Sequence, residues 1–577
     1  MKKIILSICL LTFLHVASAQ NMNAVLFTVG KESVTATEFI NTFNKNNALE
    51  KATEKELRDY LDLFINFKLK VMDGIDTQID TAMDFRRELA SYRAQSAQSY
   101  LVDKEVTEQL IKEAIERSKQ MVRASHILIM VATGASAKDT LVAYNKALDI
   151  RKKILSGAIT FSEAAVQLSE DPSARDEVRG GKMQYGNKGD LGYFSAFDLI
   201  YPFENVAYNT SVGDISMPVR TQFGYHLVWV QDRRPMVSKI DISQILLLDT
   251  AAYFGRMSPK VKEKLILIEE ALQIGEDFAE LAEKYTEDPM SKEKGGRIEP
   301  FAPNRRPGDY VKQALSLKEE QISGPFPSVI GWHIIKLNEL VAPETKDEEM
   351  RYTMVTKIQR DSRSIKSVES LLEKLKKEYH FANKGKTAAF NLLLKKLNTE
   401  TTMPPATDLL AIAGIGKLKP ITTFADQVIT IQDFVHYLDR FQGKELNKQA
   451  ETFLNTQYEI FIKEFMLKYE FDNLENKYPE HKELLREYHH GMILFEMNNE
   501  KIWSESLKDS VKLETFYEKI KFNYLDPEGN PKPLLEIRSA VLTEYQDELE
   551  REWLNALRQR YPVWINEELF KSILTNK

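Results

Sequence analysis

Phe161-Ser-Glu-Ala-Ala-Val-Gln-Leu-Ser-Glu-Asp-Pro172 recurs as Phe278-Ala-Glu-Leu-Ala-Glu-Lys-Tyr-Thr-Glu-Asp-Pro289, an offset of 117 residues. Upstream, Ser125-His126-Ile127-Leu128 matches Ser243-Gln244-Ile245-Leu246 at an offset of 118. Downstream, Gly189, Phe194, Ile215, Pro218, Gly224 and His226 match Gly296, Phe301, Ile322, Pro325, Gly331 and His333, all at 107. The fall from 117 to 107 locates a ten-residue insertion in the first copy, between Pro172 and Gly189. Self-similarity at a fixed spacing marks homologous units, here two domains of about 110 residues covering 121–234 and 238–343.

Each copy carries one order of elements. It begins with a short apolar strand, Ala124 to Met130 in the first, bounded by polar residues. A helix follows. In the first copy Leu141, Tyr144, Leu148 and Leu155 fall at 3, 4 and 7 spacing and predict its buried stripe, with Gly157 as the stop. In the second, Ser258 is placed to cap and Pro259 suits the first helical position; Val261, Leu265, Ile268 and Leu272 form the stripe and Gly275 ends it. A shorter helix leads to Asp-Pro, a Gly-rich loop, another short strand and helix, and a final strand of the type Tyr225-His-Leu-Val-Trp-Val230. Strands at both ends with helices between predict an α+β domain around a small sheet.

The flanks differ in kind. Residues 20–120 open with a strand or turn over Val25 to Lys31 and continue as amphipathic helices through Leu57, Leu61, Phe64 and Leu69 past Tyr100, and 344–577 are again mostly helical. A weaker repeat links the two flanks. Ser33-Val-Thr-Ala-Thr-Glu-Phe39 resembles Val428-Ile-Thr-Ile-Gln-Asp-Phe434, and Glu88-Leu89 through Tyr92 resembles Leu484-Leu485 through Tyr488. Amphipathic helices look alike by default, so common ancestry and chance both stay open. Charge-rich Thr345 to Glu349 and Thr401-Thr-Met-Pro-Pro405 are the expected joints.

Composition narrows the function classes. Basic residues number 78 against 85 acidic, a formal charge of -7, which gives no field favouring nucleic acid or anionic lipid over the whole surface. No Gly-rich Lys-Ser/Thr phosphate loop is present, so ATP dependence is not expected. The one cysteine, Cys9, excludes a disulfide framework, a Cys-ligated zinc site and an iron–sulfur cluster. The other histidines show no metal spacing with supporting ligands, and His489-His490 adjoin on a helix and point in different directions. Lys2-Lys3, an apolar run from Ile4 to Val16 and Ala17-Ser18-Ala19 match a cleaved secretory signal over 1–19. The mature chain is then expected to begin at Gln20, to carry no thiol, and to be exported without a membrane span.

Five ordered motifs in the first copy carry a resemblance. They are Ala124-Ser125-His126-Ile127-Leu128, Ser169-Glu170-Asp171-Pro172-Ser173-Ala174, Gly189-Asp190-Leu191-Gly192-Tyr193-Phe194, Pro202-Phe203-Glu204 and Thr221-Gln-Phe-Gly-Tyr-His226. Together they resemble the parvulin peptidyl-prolyl isomerases. With the export signal, the tandem copies and the helical N-terminal region, the chain looks like a SurA-type periplasmic chaperone over 20–343. The resemblance covers the last 230 residues poorly.

The family's reaction needs no cofactor, metal or nucleophile. An X-Pro bond isomerises slowly because ~18–20 kcal/mol of amide conjugation is broken, yet nothing covalent changes. Catalysis requires an apolar seat for the pyrrolidine ring and a dry environment for the twisted amide. The family's pattern implies a substrate pocket of Leu191, Phe194, Leu199 and Phe203. It implies a catalytic set of Asp171, at a position where parvulins carry Cys or Asp, the paired histidines His126 and His226, and Thr221 in their network. The residues alone leave second readings open: core for the apolar four, a turn former for Asp171 before Pro172, and structural histidines for His126 and His226.

The second copy departs from the first where this matters. His126 becomes Gln244, Gly192 becomes Glu299, Leu199 becomes Arg306 and Phe203 becomes Tyr310, while Asp288, Ile298 and His333 remain. A guanidinium in place of a pocket aliphatic opposes a dry seat, so this copy is expected to be degenerate, a peptide-binding or spacing module. The insertion around Arg175 to Lys188, with Gly180, Gly181 and Gly186, reads as a lid, a substrate-contacting loop or a tolerated surface insertion. The leading expectation is an exported, ATP-independent foldase that isomerises X-Pro segments and holds unfolded clients, with outer-membrane proteins the clients the resemblance implies. Its alternative is a binding-only holdase with vestigial isomerase domains, and a fully secreted foldase is a third reading.

Overall fold

The computed structural model describes residues 23–132, 135–179, 182–343, 347–417, 420–446 and 450–575. The segment 1–19 expected as an export signal, with Cys9, the following Gln20, Gly180 and Gly181 of the insertion, and Thr345 and Lys346 of the first expected joint lie outside them. By packing, the chain forms two units: one takes the chain up to Gln98 together with Phe471–Lys577, and the other is Ser99–Glu470. These units cut across the linear boundaries 20–120 and 344–577. Among the described residues no helix is long and apolar enough to cross a membrane.

Both repeated domains lie in Ser99–Glu470 and have the expected α+β build. In the first, Gln120–Met130 is an inner strand of an antiparallel sheet ordered Asp190–Phe194, Gln120–Met130, Gly224–Pro235, Val219–Arg220. Successive side chains alternate between faces. Ile127 and Ile129 pack with helices Ala137–Leu155 and Phe161–Leu168, whereas Val122 and Ala124 pack with helix Tyr201–Asn209. Register sets Leu128 opposite His226 and His126 opposite Val228, which places both histidines on the face that meets Phe203.

The stripe expected for helix Ala137–Leu155 is misphased. Its buried residues are Ala143, Ala147 and Ile150, while Leu141 and Leu155 are each 58% exposed. Small alanines let the helix lie close on the sheet, and the larger side chains are left at its flanks. In the second domain Val261, Leu265 and Ile268 are buried as expected. Ser258 stands at the N-cap, but its hydroxyl makes no capping bond; its N–H donates to Asp249 Oδ2 at 2.8 Å instead.

The second domain's sheet runs Phe326–Pro327, Gly331–Val341, Lys239–Leu248, with Leu246 opposite His333, the same register as in the first. Isolated pairings of Ile240 with Phe301 and Ser243 with Arg297 stand in for the first domain's strand Asp190–Phe194. The insertion is a hairpin, Glu177–Arg179 paired with Lys182–Gln184, and its base is anchored on the second domain. There the Asp176 carboxylate accepts from the Tyr253 hydroxyl at 2.6 Å and from the Gly186 N–H at 2.8 Å. The Tyr185 ring lies 4.3 Å from that of Tyr253.

The weak repeat of the flanks is a repeat of structure. Val25–Val29 and Glu32–Thr35 form a hairpin turned at Gly30 (φ +57°), and helix Ala36–Asn44 follows, capped by Thr35 and burying Phe39. Thr422–Phe424 and Gln427–Ile429 form a second hairpin turned at Ala425 (φ +51°), followed by helix Ile431–Leu438, capped by Thr430 and burying Phe434. A 23-residue helix comes after each, Glu54–Asp76 and Ala450–Asp472. The first hairpin gains a third strand, Val563–Ile565, laid antiparallel on Val25–Val29, which is why the chain's two ends share one core.

Candidate functional site

The structure gathers all eight residues singled out in the first domain. His126 and His226 stand on neighbouring strands with their Nδ1 atoms 3.2 Å apart and their rings stacked. Thr221 Oγ1 lies 2.8 Å from His226 Nε2 and also accepts the Phe223 N–H. Phe203 presents its ring edgewise to both imidazoles, at 5.8 and 5.4 Å between centroids. Phe194 and Phe203 are buried in one cluster with Val122, Ala124 and Val228, and half-buried Leu191 and Leu199 form its open edge.

Asp171 closes this array on the other side. It caps the 3-10 turn Pro172–Ala174 through Oδ1, which accepts the Ser173 N–H at 2.9 Å, while Oδ2 stands 2.8 Å from His126 Nε2. Asp171 is therefore a turn former and a member of the site at once. His126 Nε2 lies at ion-pair distance yet has no well-aligned hydrogen-bond partner, so the contact is a charge facing an N–H dipole from the side. The closeness of His126 holds the Asp171 carboxyl well below the usual carboxylate range, aided by the Ser173 N–H.

These contacts order the protons. Burial, and then the neighbouring His126, lowers the His226 imidazole to about 4, so it is neutral near pH 7. The ionised Asp171 carboxylate can only accept, so the nitrogen that faces it, His126 Nε2, carries a proton. The neutral His226 holds one proton, on Nδ1 facing His126 Nδ1 or on Nε2 facing the Thr221 hydroxyl. Thr221, His226 and His126 thus form one chain of polar contacts that ends at Asp171.

Three supporting residues were in the quoted motifs but had no assigned role. Buried Ser169 accepts the N–H groups of Leu128 and Asp171 at 3.1 and 3.2 Å, fixing the Asp171 turn to the central strand. Thr286 does the same for Leu246 and Asp288, so the repeat itself signals the role. Gly189, at φ +86°, accepts the His126 N–H; an added Cβ would lie 2.7 Å from the His126 carbonyl oxygen. Glu204, beside Phe203, is fully buried between Arg117 (3.0 Å) and Arg363 (2.8 Å), which both lie outside the repeat 121–234. Those partners lie 87 and 159 residues away in sequence, beyond the reach of any local pattern.

The open edge at Leu191 faces a cleft of about 390 Å³ shared with the second domain, which contributes Tyr253, Arg306 and Gly308. Approach there is close: a Cβ on Gly308 would lie 2.6 Å from Arg123 Nε and 3.0 Å from the Gly192 Cα. Arg123 joins the domains by pairing with Asp190 at 2.7 Å and Asp309 at 2.6 Å.

The second domain's equivalent site is filled from within. The Tyr310 hydroxyl donates to Gln244 Oε1 and Gln244 Nε2 donates to Asp288 Oδ2, each at 2.8 Å. Ser328 Oγ lies 2.7 Å from His333 Nε2, as Thr221 does from His226. Arg306 is exposed, its guanidinium over the Phe301 ring at the edge of the shared cleft. Among the described residues no group of three or more His, Cys, Asp or Glu side chains could hold a metal ion.

Comparison with known proteins places this geometry. Residues 109–234 and 247–339 each match the PPIC-type PPIASE domain family. The chain is 28% identical over 283 residues to "Chaperone SurA" of Alkalilimnicola ehrlichii, covering 47% of this chain and 62% of that protein. It is 28% identical over 299 residues to "Chaperone SurA" of Saccharophagus degradans, covering 47% of this chain and 66% of that one. The chain thus spans under two thirds of the length of these relatives. The solved structure of the peptidylprolyl isomerase PrsA from Bacillus anthracis is 29% identical over 24% of this chain and 60% of its own, with a TM-score of 0.17. Residues 109–234 and 247–339 are two PPIC-type parvulin domains in tandem, and the chain that carries them is SurA-like.

Proposed function

We propose that the first parvulin domain isomerises X-Pro bonds and that the chain as a whole holds unfolded polypeptides without ATP. The observation that carries this reading is the chain of polar contacts from Thr221 through His226 and His126 to ionised Asp171, set against the Phe203 cluster. His126, His226 and Thr221 are each at most 6% exposed, so they act as positioning residues. Half-buried Asp171, Leu191 and Leu199 face the substrate. An apolar edge backed by Phe203 seats the pyrrolidine ring and strips water from the amide. Rotation about C–N removes resonance and its charge separation, so the twisted state loses less on leaving water than the planar one. These polar contacts are fixed before rotation and need no reorganisation.

The second domain, with Arg306 and Tyr310 in place of Leu199 and Phe203, serves as a wall and spacer for the shared cleft. The export segment 1–19 supports a periplasmic location, and the SurA likeness points to outer-membrane proteins as clients, whose alternating apolar strands must stay soluble in transit. The test is NMR exchange of a proline peptide with the full chain. Acceleration is expected, and Leu199→Arg or Asp171→Ala should reduce it at least tenfold while the chain stays folded. A parent chain without acceleration, or one insensitive to both changes, would favour the binding-only holdase.

A further inference from the structure

Away from the parvulin domains, in the unit built from the chain's two ends, helices Met83–Ala97 and Pro479–Asn498 border an open groove of about 570 Å³. The two are equivalent segments of the flank repeat, and their matched tyrosines, Tyr92 and Tyr488, stack at the groove with ring centroids 3.5 Å apart. Leu484 is 39% exposed and Phe495 58% exposed, and Phe495 continues onto Trp503, itself 38% exposed. These side chains make one contiguous apolar strip of the kind that marks a binding surface.

Two further features point to an occupant. Gly491 sits in the groove in the middle of helix Pro479–Asn498, where glycine is a poor helix former, and an added Cβ there would meet nothing within 4 Å. No packing contact demands glycine, and its bare backbone leaves the groove open. The charged lining residues are all acidic: Glu88, Glu487 and Glu496. Lys45 pairs with Glu487 from outside, whereas Glu88 receives only the Tyr488 hydroxyl, and neither Glu88 nor Glu496 meets a cation among the described residues.

We propose that this groove docks an extended segment of an unfolded polypeptide carrying aromatic or aliphatic side chains next to a lysine or arginine. The apolar strip takes the hydrophobic side chains and the unpaired carboxylates take the cation. The proposal rests on the reading that the chain holds unfolded clients and assigns that function a specific surface.

The test uses the full chain and two labelled peptides with the same alternating apolar and aromatic core, one flanked by lysines and the other by glutamates. The parent should bind the lysine peptide at least tenfold more tightly. Gly491→Trp, whose Cβ would enter open space at the groove, should weaken that peptide at least tenfold and leave proline isomerisation unchanged. The exposed pair Glu88→Lys with Glu496→Lys should reverse the preference, and it decides the matter if Gly491→Trp fails to fold. Equal binding by the parent and both variants would overturn the groove alone, whereas a parent that binds neither peptide would also overturn the holding function. A dimer in sedimentation that Gly491→Trp converts to monomer would overturn the peptide in favour of a second copy of the chain.

Discussion

The two parvulin domains share a fold, a histidine register and an Asp-Pro turn, and they differ in how their centres are satisfied. In the second domain Tyr310, Gln244 and Asp288 bond to one another, and the buried nitrogen left without a partner is His333 Nδ1. In the first, Phe203 has no hydroxyl to offer, and His126 Nε2 is buried without an aligned partner beside Asp171. A buried polar group kept short of a good hydrogen bond costs stability, and such positions cluster at sites retained for chemistry. A few substitutions at the centre therefore move the unpartnered nitrogen from the atom beside Asp171 to one away from Asp288 on the same scaffold.

A second difference lies behind the pocket helix. Glu204 of the first domain is clamped by Arg117 and Arg363, while the equivalent residue in the second is buried, apolar Val311. Glu204→Ala should give the largest effect, because it takes the fully buried carboxylate from between two guanidinium groups and leaves Arg117 with Glu113 and Arg363 with Asp361: about 3 kcal/mol lost, read from urea unfolding, with a fall in isomerisation as Phe203 is released. Removal of the Val311 side chain should cost only the smaller amount due to a lost aliphatic group.

The centres can then be exchanged. His126→Gln and Phe203→Tyr should each destabilise the first domain when made alone. Together they recreate the second domain's network, so a double-mutant cycle should show favourable coupling of about 1–3 kcal/mol, with isomerisation lost in all three variants. Additive losses would mean that the filled centre of the second domain depends on more than these two positions.

Acid should affect both domains in the same direction. Burial lowers His226 and His333 to about 4. The unfolded chain takes up these protons near 6.5 and the folded chain resists to about 4, so their contribution to stability is complete above pH 6.5 and drains as pH falls to 4. Histidine resonances in NMR should show both midpoints near 4, and His226→Gln or His333→Gln should each weaken the acid dependence of the urea midpoint. The smallest effect expected is from Thr221→Ser, which imitates Ser328 and keeps the hydroxyl: less than about 1 kcal/mol in stability, and a rate within threefold of the parent.

Much of the site was legible because catalysis and folding leave periodic traces in a duplicated sequence. The constant offsets aligned His126 with Gln244 and Phe203 with Tyr310, whereas putting His126 and His226 on one face took the strand register, which the structure supplies. The stripe of helix Ala137–Leu155 was misread because leucine content was taken as the guide, whereas close approach to a sheet selects small residues. The role of Glu204 was illegible because its partners come from distant elements and no spacing rule connects them.

By itself, then, the sequence determined the tandem α+β domains, the substitutions at the second centre and the residues gathered in the first, since each rests on local periodicity or internal comparison. Only the tertiary structure decided the contact chain from Thr221 to Asp171, the burial of the Arg117–Glu204–Arg363 cluster, and the joining of the chain's two ends through strand Val563–Ile565. Those depend on distances between segments far apart in the chain, which are set by the packing of whole elements rather than by the preferences of the residues within them.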